Sequence, residues 1–366
     1  MAIETKQIVS ALTKVMDPNT GQDVITMNMV RDLSIDGNQV NFTLELPSLS
    51  SEYKQELNFA CISAIQESYP QADVNVHMMA KAGQAASPQP NNPFSHIKNI
   101  IAVASGKGGV GKSTVAVNLA LGLKELGAKV GLIDADLYGP SIPTMLHLQG
   151  KRPKVQSVYD KPKILPLEAY GIQVMSIGFI IEAEQAVVLR GPRLGAIIKQ
   201  FFQDTIWPPL DYMIVDLPPG TGDVQLSLVQ TVPVTGAVMV TTPQEVAVVD
   251  AVKAVNMFGL PSVNVPILGV VENMSWFTPK ELPNNKYYLF GQGGGEKLVK
   301  QSQSSLLGQI PIVQGIREAG DAGKPIVLDK SNEITRKAFL EVAQNTAEQT
   351  KIRNEKLAPT RKVDVQ

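Results

Sequence analysis

Apolar residues mark out two regions with different textures, and the change falls near residue 97. In the first region, "TKQIVSALTKVMDPNTGQDV" has helical spacing and predicts a helix broken at Pro18. "VRDLSIDGNQVNFTLELP" contains two strand-like runs separated by a turn at Asp36-Gly37, which predicts a hairpin. A second helix is expected at about 51–68, where Leu57, Cys61 and Ile65 fall at i, i+4 and i+8 on one apolar stripe. Cys61 therefore reads as a core residue, because a free cysteine behaves as a small hydrophobe.

"KAGQAASPQPNNPFSH", 81–96, has no periodicity and reads as a linker. After it come short apolar runs: "KNIIAVAS", "AKVGLIDAD", "GIQVMSIGF", "DYMIVDLPP", "TGAVMVTTP" and "VPILGVVENM". Helical stretches lie between several of them. Buried strands alternating with helices predict a mostly parallel sheet covered on both faces. Such sheets bind ligands at the carboxyl ends of their strands. A closing helix is expected over 332–352, packed through Ile334, Ala338, Val342 and Ala343.

Composition narrows the class. The chain has 366 residues, enough for two domains, with 44% hydrophobic and 18% charged residues. A net charge of -1 argues against a global attraction to nucleic acid or acidic lipid. The run Lys151-Arg152-Pro153-Lys154 is either a solvated loop or a local basic face. One cysteine excludes a disulfide framework within the chain. The N-terminus lacks a secretory pattern, and no apolar run reaches membrane-spanning length. The final stretch, "RNEKLAPTRKVDVQ", lacks the bulky apolar face of a membrane-lying helix. These features predict a cytoplasmic protein with no membrane or nucleic-acid partner.

The chemistry begins at "SGKGGVGKST". Gly106, Gly111, Lys112 and Ser113 fit G-x-x-x-x-G-K-[ST], in which glycines let backbone N–H groups approach phosphate oxygens. Lys112 is the cation for the terminal phosphates and Ser113 a hydroxyl for Mg²⁺. The following "STVAVNLALGLKEL" reads as an amphipathic helix whose N-terminus adds to the anion site. The loop Gly106, Lys107, Gly108, Gly109, Val110, Gly111, Lys112, Ser113 and Thr114 is thus expected to line a bound ATP. Asp134 and Asp136 end one strand and Asp216 another, at the sheet end suited to metal and water. Asp134 and Asp216 are expected with Ser113 in the Mg²⁺ shell, directly or through water, and Asp136 at the attacking water. Gly220 and Gly222 would let a loop answer the γ-phosphate. Lys107 has two readings from spacing alone: a solvated loop lysine, or a cation projected onto the nucleotide of a facing subunit.

"KGGVGKST", "DADLYGPS" and "DLPPGTGD" together resemble the MinD/ParA class of deviant-Walker ATPases, and within it the Mrp/ApbC family of iron–sulfur cluster carriers. The resemblance covers about 98–345, and residues 1–80 look like the small domain that often precedes the ATPase in that family. It implies an α/β P-loop NTPase with a mostly parallel sheet, preceded by a small α/β domain. The division is then 1–80, a linker at 81–97, an ATPase domain at 98–352 and a tail at 353–366. It also implies slow, Mg²⁺-dependent ATP hydrolysis in a homodimer, with Lys107 crossing the interface. Switch regions would fall at Asp134–Ser141 and Asp216–Asp223, and the base-reading asparagine at Asn273.

One departure stands out. The family typically follows "ENMS" with a C-x-x-C pair, and here Pro279 and Leu282 take those positions. His77, His96 and His147 are scattered, so the residues identify no cluster ligands. Trp276-Phe277 and Tyr287-Tyr288 read as an aromatic docking surface or as a β-hairpin. Three functions stay open. The first is an ATP-dependent carrier that passes iron–sulfur clusters to apo-protein clients. The second is a nucleotide-gated dimeric switch that binds no cluster, and the third a positioning ATPase on membrane or DNA.

Overall fold

The computed structural model describes residues 4–18, 20–46, 51–80, 94, 96–136, 139–158, 161–180, 197, 199–222, 225–226, 232–279 and 281–357. In chain order the first elements are α1 (Thr5–Leu12), β1 (Val30–Asp36), β2 (Gln39–Leu46), α2 (Ser51–Ser68) and β3 (Asp73–Ala80). Then come β4 (Ile97–Ala104), α3 (Lys112–Glu125), β5 (Val130–Asp134), α4 (Ile142–Met145), β6 (Val155–Val158), β7 (Lys161–Ile164), β8 (Leu167–Ala169) and β9 (Ile172–Ser176). The rest are β10 (Leu210–Asp216), β11 (Gly236–Thr241), α5 (Glu245–Phe258), β12 (Ile267–Glu272), α6 (Gly294–Ser302), β13 (Ser305–Gln309), α7 (Gln314–Asp321) and α8 (Glu333–Lys356). They form two compact units.

The first unit is built from Met1–His96, Pro153–Pro166 and Gln203–Pro209. Its sheet has the order β1-β2-β3, antiparallel then parallel. The expected hairpin forms: Asp36 pairs with Gln39, and Gly37 takes φ 60°, a conformation that costs glycine little. Val40, Phe42, Leu44 and Leu46 of β2 point inward, and Leu57, Cys61 and Ile65 of α2 join the same core. The first helix ends earlier than Pro18. It stops at Leu12 because the chain doubles back: Val24 N–H donates to the Val15 carbonyl at 3.0 Å, and both side chains enter the core. Two later segments complete this unit. Gln66 donates to Gln156 at 2.9 Å, Gln156 donates to the Val74 carbonyl, and Ile206 is buried in the core. Ile164 and Ile206 are tied by a backbone bond of 2.8 Å.

The second unit holds an eight-stranded sheet in the order β13-β12-β11-β4-β10-β5-β9-β8. All its pairings are parallel except β8 with β9. The runs read as strands from sequence become β4, β5, β9, β10, β11 and β12. Two helices depart from expectation. α3 is buried from Val115 to Leu123 rather than amphipathic, since α8 covers the face turned from the sheet. Gly122 permits that approach, because a Cβ there would lie 2.8 Å from the Ala343 methyl. On α8 the packed stripe is Thr335, Phe339, Val342, Ala343, Thr346 and Thr350, while Ile334 is 76% exposed. The threonines tolerate burial because Thr346 and Thr350 donate to the carbonyls four residues back, each at 2.7 Å. No helix among the described residues is long and apolar enough to cross a membrane.

Candidate functional site

The site lies where β4, β5, β10 and β12 end together. β4 runs apolar and buried to Ala104, then releases the chain into residues 105–111. Gly109 and Gly111 adopt φ 80° and 81°, which turns the loop and opens α3 at Lys112. Gly106 is required for a different reason: a Cβ there would overlap the backbone of Asp250 and Ala251 on α5. The loop is fixed from the far side by Asn273, whose amide donates to the Val110 carbonyl at 2.8 Å.

Lys112 is buried and its ammonium is 2.6 Å from Asp216 and 3.5 Å from Asp136. It also lies 3.3 Å from the Ser113 hydroxyl. Asp134 completes the group. Its carboxylate accepts from the Asp136 amide at 3.1 Å and from the Ser176 hydroxyl at 2.9 Å. Burial pushes the carboxyl of Asp134 well above the usual range and the neighbouring charge of Asp216 adds to it, against the bonds from Ser176 and Asp136 and the charge of Lys112. Burial likewise raises Asp216, opposed chiefly by Lys112. Three carboxylates thus share one buried cation.

The structure brings together Gly106, Gly111, Lys112, Ser113, Asp134, Asp136, Asp216 and Asn273, at the strand ends where the sequence put them. Lys107 is half-buried and has no ionic partner among the described residues. Residues 137–138 and Asp223, parts of the expected switch regions, lie outside the described residues.

Two residues escaped the sequence reading. Ser176 ends β9 as Asp134 ends β5, and the polar residue closing "GIQVMS" was its only signal. Glu272, beside Asn273, is buried and accepts from the Gly295 amide at 2.6 Å and from Gln309 at 2.8 Å. It thereby ties β12 to the first turn of α6 and to β13, and a charged residue ending an apolar run was the available clue.

Beyond Asn273 the backbone pairs as a hairpin, with Phe277 and Tyr287 exchanging two bonds of 2.8 Å. Its aromatic side chains stay accessible: Phe277, Tyr287 and Tyr288 are all exposed. Lys286 sits 3.9 Å from the centre of the Trp276 ring. Pro279 and Leu282 close a turn at the tip.

The residues suit Mg²⁺ held largely through water and phosphate. Asp136 Oδ1 and Asp216 Oδ2 are buried oxygens with no hydrogen-bond partner among the described residues, hard donors of the kind Mg²⁺ prefers. They do not form a closed cage: no group of three or more His, Cys, Asp or Glu among the described residues could hold an ion alone.

The profile of the family described as ParA, NUBPL iron-transfer P-loop NTPase, matches residues 96–347. The chain belongs to this family. The NTPase is preceded by a match to the iron-sulfur cluster assembly protein family at residues 5–78. It is 44% identical over 345 residues to an iron-sulfur cluster carrier protein of Synechocystis, covering 94% of this chain and 97% of that one. A Haemophilus influenzae protein of the same name is 40% identical over 350 residues, covering 94% and 92%. Among solved structures, a nucleotide-binding protein from Archaeoglobus fulgidus in complex with ADP is similar, at 36% identity and a TM-score of 0.55. That match covers 63% of this chain and 89% of the other.

Proposed function

We propose that the protein hydrolyses ATP as a homodimer and carries iron–sulfur clusters to apo-protein clients. The observation carrying this reading is the join, in one chain, of an assembly-type unit to a buried Lys112–Asp216–Asp136 ion group at a phosphate loop. In the ligand-free state Lys112 is neutralised by Asp216 and Asp136. Arriving phosphates compete for that ammonium, so nucleotide binding rearranges the carboxylates. Asp216, once released, would help hold Mg²⁺ through water, and Asp136 would be free to orient the attacking water and accept its proton. Ser176 keeps Asp134 oriented throughout. When bound, Mg²⁺ supplies charge neutralisation at the phosphates. Lys107, uncommitted among the described residues, reaches the triphosphate of the facing subunit and stabilises charge as the terminal phosphoryl departs. Asn273 must release Val110 if it is to read the base.

Lys107→Ala is expected to bind ATP normally and to lose hydrolysis by roughly 10³-fold or more, the range of a cation supplied in trans. Nucleotide titration beside a phosphate-release assay checks this, and parental turnover would remove Lys107 from the mechanism. The carrier half is tested by transfer of a cluster to an apo-protein. A second reading, a nucleotide-gated switch that never binds iron, is favoured by the single cysteine in the sequence.

A further inference from the structure

We propose that the cluster is ligated by cysteines of a client polypeptide seated at the Phe277–Tyr287 hairpin, and not by this chain's own thiols. The proposal rests on the carrier reading and deepens it. The common cubic and rhombic clusters need about four ligands, usually thiolates. The sequence has one cysteine, so even two copies bring too few. Cys61 is also fully buried among Leu57, Ile62 and Ile65. Burial pushes its thiol up to about 12, which disfavours the thiolate that iron requires. Histidine does not fill the gap: His96 is buried, while His77 and His147 are exposed at unrelated positions.

The hairpin offers what an incoming ligand set needs. Its tip is accessible at Leu282, the rings of Phe277, Tyr287 and Tyr288 are exposed, and the Lys286 ammonium, seated over Trp276, complements the negative charge of a thiolate-bound cluster. Beside it lies a cavity of about 980 Å³ whose wall includes Phe277, Pro279 and Ile312. Among the described residues, Glu281, Glu318 and Asp329 line it against one lysine, Lys324, so a basic stretch flanking the cysteines fits. The hairpin begins four residues after Asn273, which grips the phosphate loop, so the nucleotide has a short covalent route to it. On loading, each cysteine thiol gives up one proton and its sulfur displaces one water from iron; two ferrous and two ferric ions with four sulfides supply the charge of the cubic cluster, so no oxidant is needed.

The test is anaerobic incubation of the full chain with equal amounts of ferrous and ferric iron and with sulfide, followed by gel filtration. The arms are no thiol, glutathione, a synthetic peptide with a C-x-x-C pair flanked by lysines, and its serine counterpart. Cluster absorbance is expected to co-elute with the protein only in the cysteine-peptide arm. It should fall several-fold with Glu281→Lys and stay unchanged with Cys61→Ala. Retention without added thiol, lost in Cys61→Ala, would overturn the proposal, as would equal loading by glutathione. Loading in no arm overturns it too. In that case Pro279→Cys with Leu282→Cys separates the two ideas: a double variant that loads and transfers a cluster leaves the carrier reading standing, and one that does neither removes both.

Discussion

Lys112 holds three carboxylates in a volume that water hardly reaches, and its loss has two separable effects. Lys112→Ala removes the cation for phosphates and strands Asp216, at a stability cost of about 3–5 kcal/mol if the charge stays buried. Adding Asp216→Asn is expected to restore much of the melting temperature and none of the nucleotide affinity, which calorimetry and nucleotide titration can compare. The raised carboxyl of Asp134 gives a pH signature. A group whose folded value lies above its unfolded value, near 3.9, stabilises the fold fully below that value. The contribution is lost as pH rises through the raised value. Asp134→Asn should therefore melt higher than the parent in alkaline, nucleotide-free buffer, with the gap closing at acid pH; a gap of constant size would refute the assignment. Lys112, Asp134, Asp136 and Asp216 were legible in sequence because each closes or follows a recognisable run. Ser176 was not, since its importance comes from a neighbour 42 positions away in sequence that only the sheet brings close.

Strands were read well because a buried parallel strand is a continuous apolar run, whatever surrounds it. Helices were read less well, because their faces depend on what covers them. α3 looked amphipathic but is enclosed, and on α8 Ala338, Val342 and Ala343 pack as expected while Ile334 gives way to Thr335, Phe339 and threonines whose hydroxyls bond their own backbone. The exchange of Ile334 for Phe339 in the packed face has a direct consequence. Phe339→Ala should cost about 3–5 kcal/mol, the usual price of emptying a buried aromatic site, whereas Ile334→Ala should change stability by less than about 0.5 kcal/mol. Chemical denaturation of the two variants checks this. Equal losses would return the packed face to the one first read from periodicity.

Across the molecule, the first unit is assembled from three stretches of chain, and this was not legible. A texture change near residue 97 marks where one rhythm stops. It carries no sign that β6, β7 and residues 203–209 return to earlier partners. The bonds of β6 are to Gln66, Asp73 and Val74, positions that look ordinary in one dimension. Removing residues 1–96 would uncover Leu165 and Ile206, apolar residues packed in the first unit's core. The truncated protein is expected to self-associate in light scattering, and a monodisperse product would show that those segments need no cover.

The three-stretch build also bears on biosynthesis. A leading domain ordinarily closes as soon as it clears the ribosome, but here Ile206 belongs to a core begun by Ile8. At common elongation rates the nascent N-terminal portion waits on the order of ten seconds for its last pieces. During that interval its half-made core is open to chaperones, and the ATPase strands β4 and β5 emerge before the domain ahead of them has finished folding.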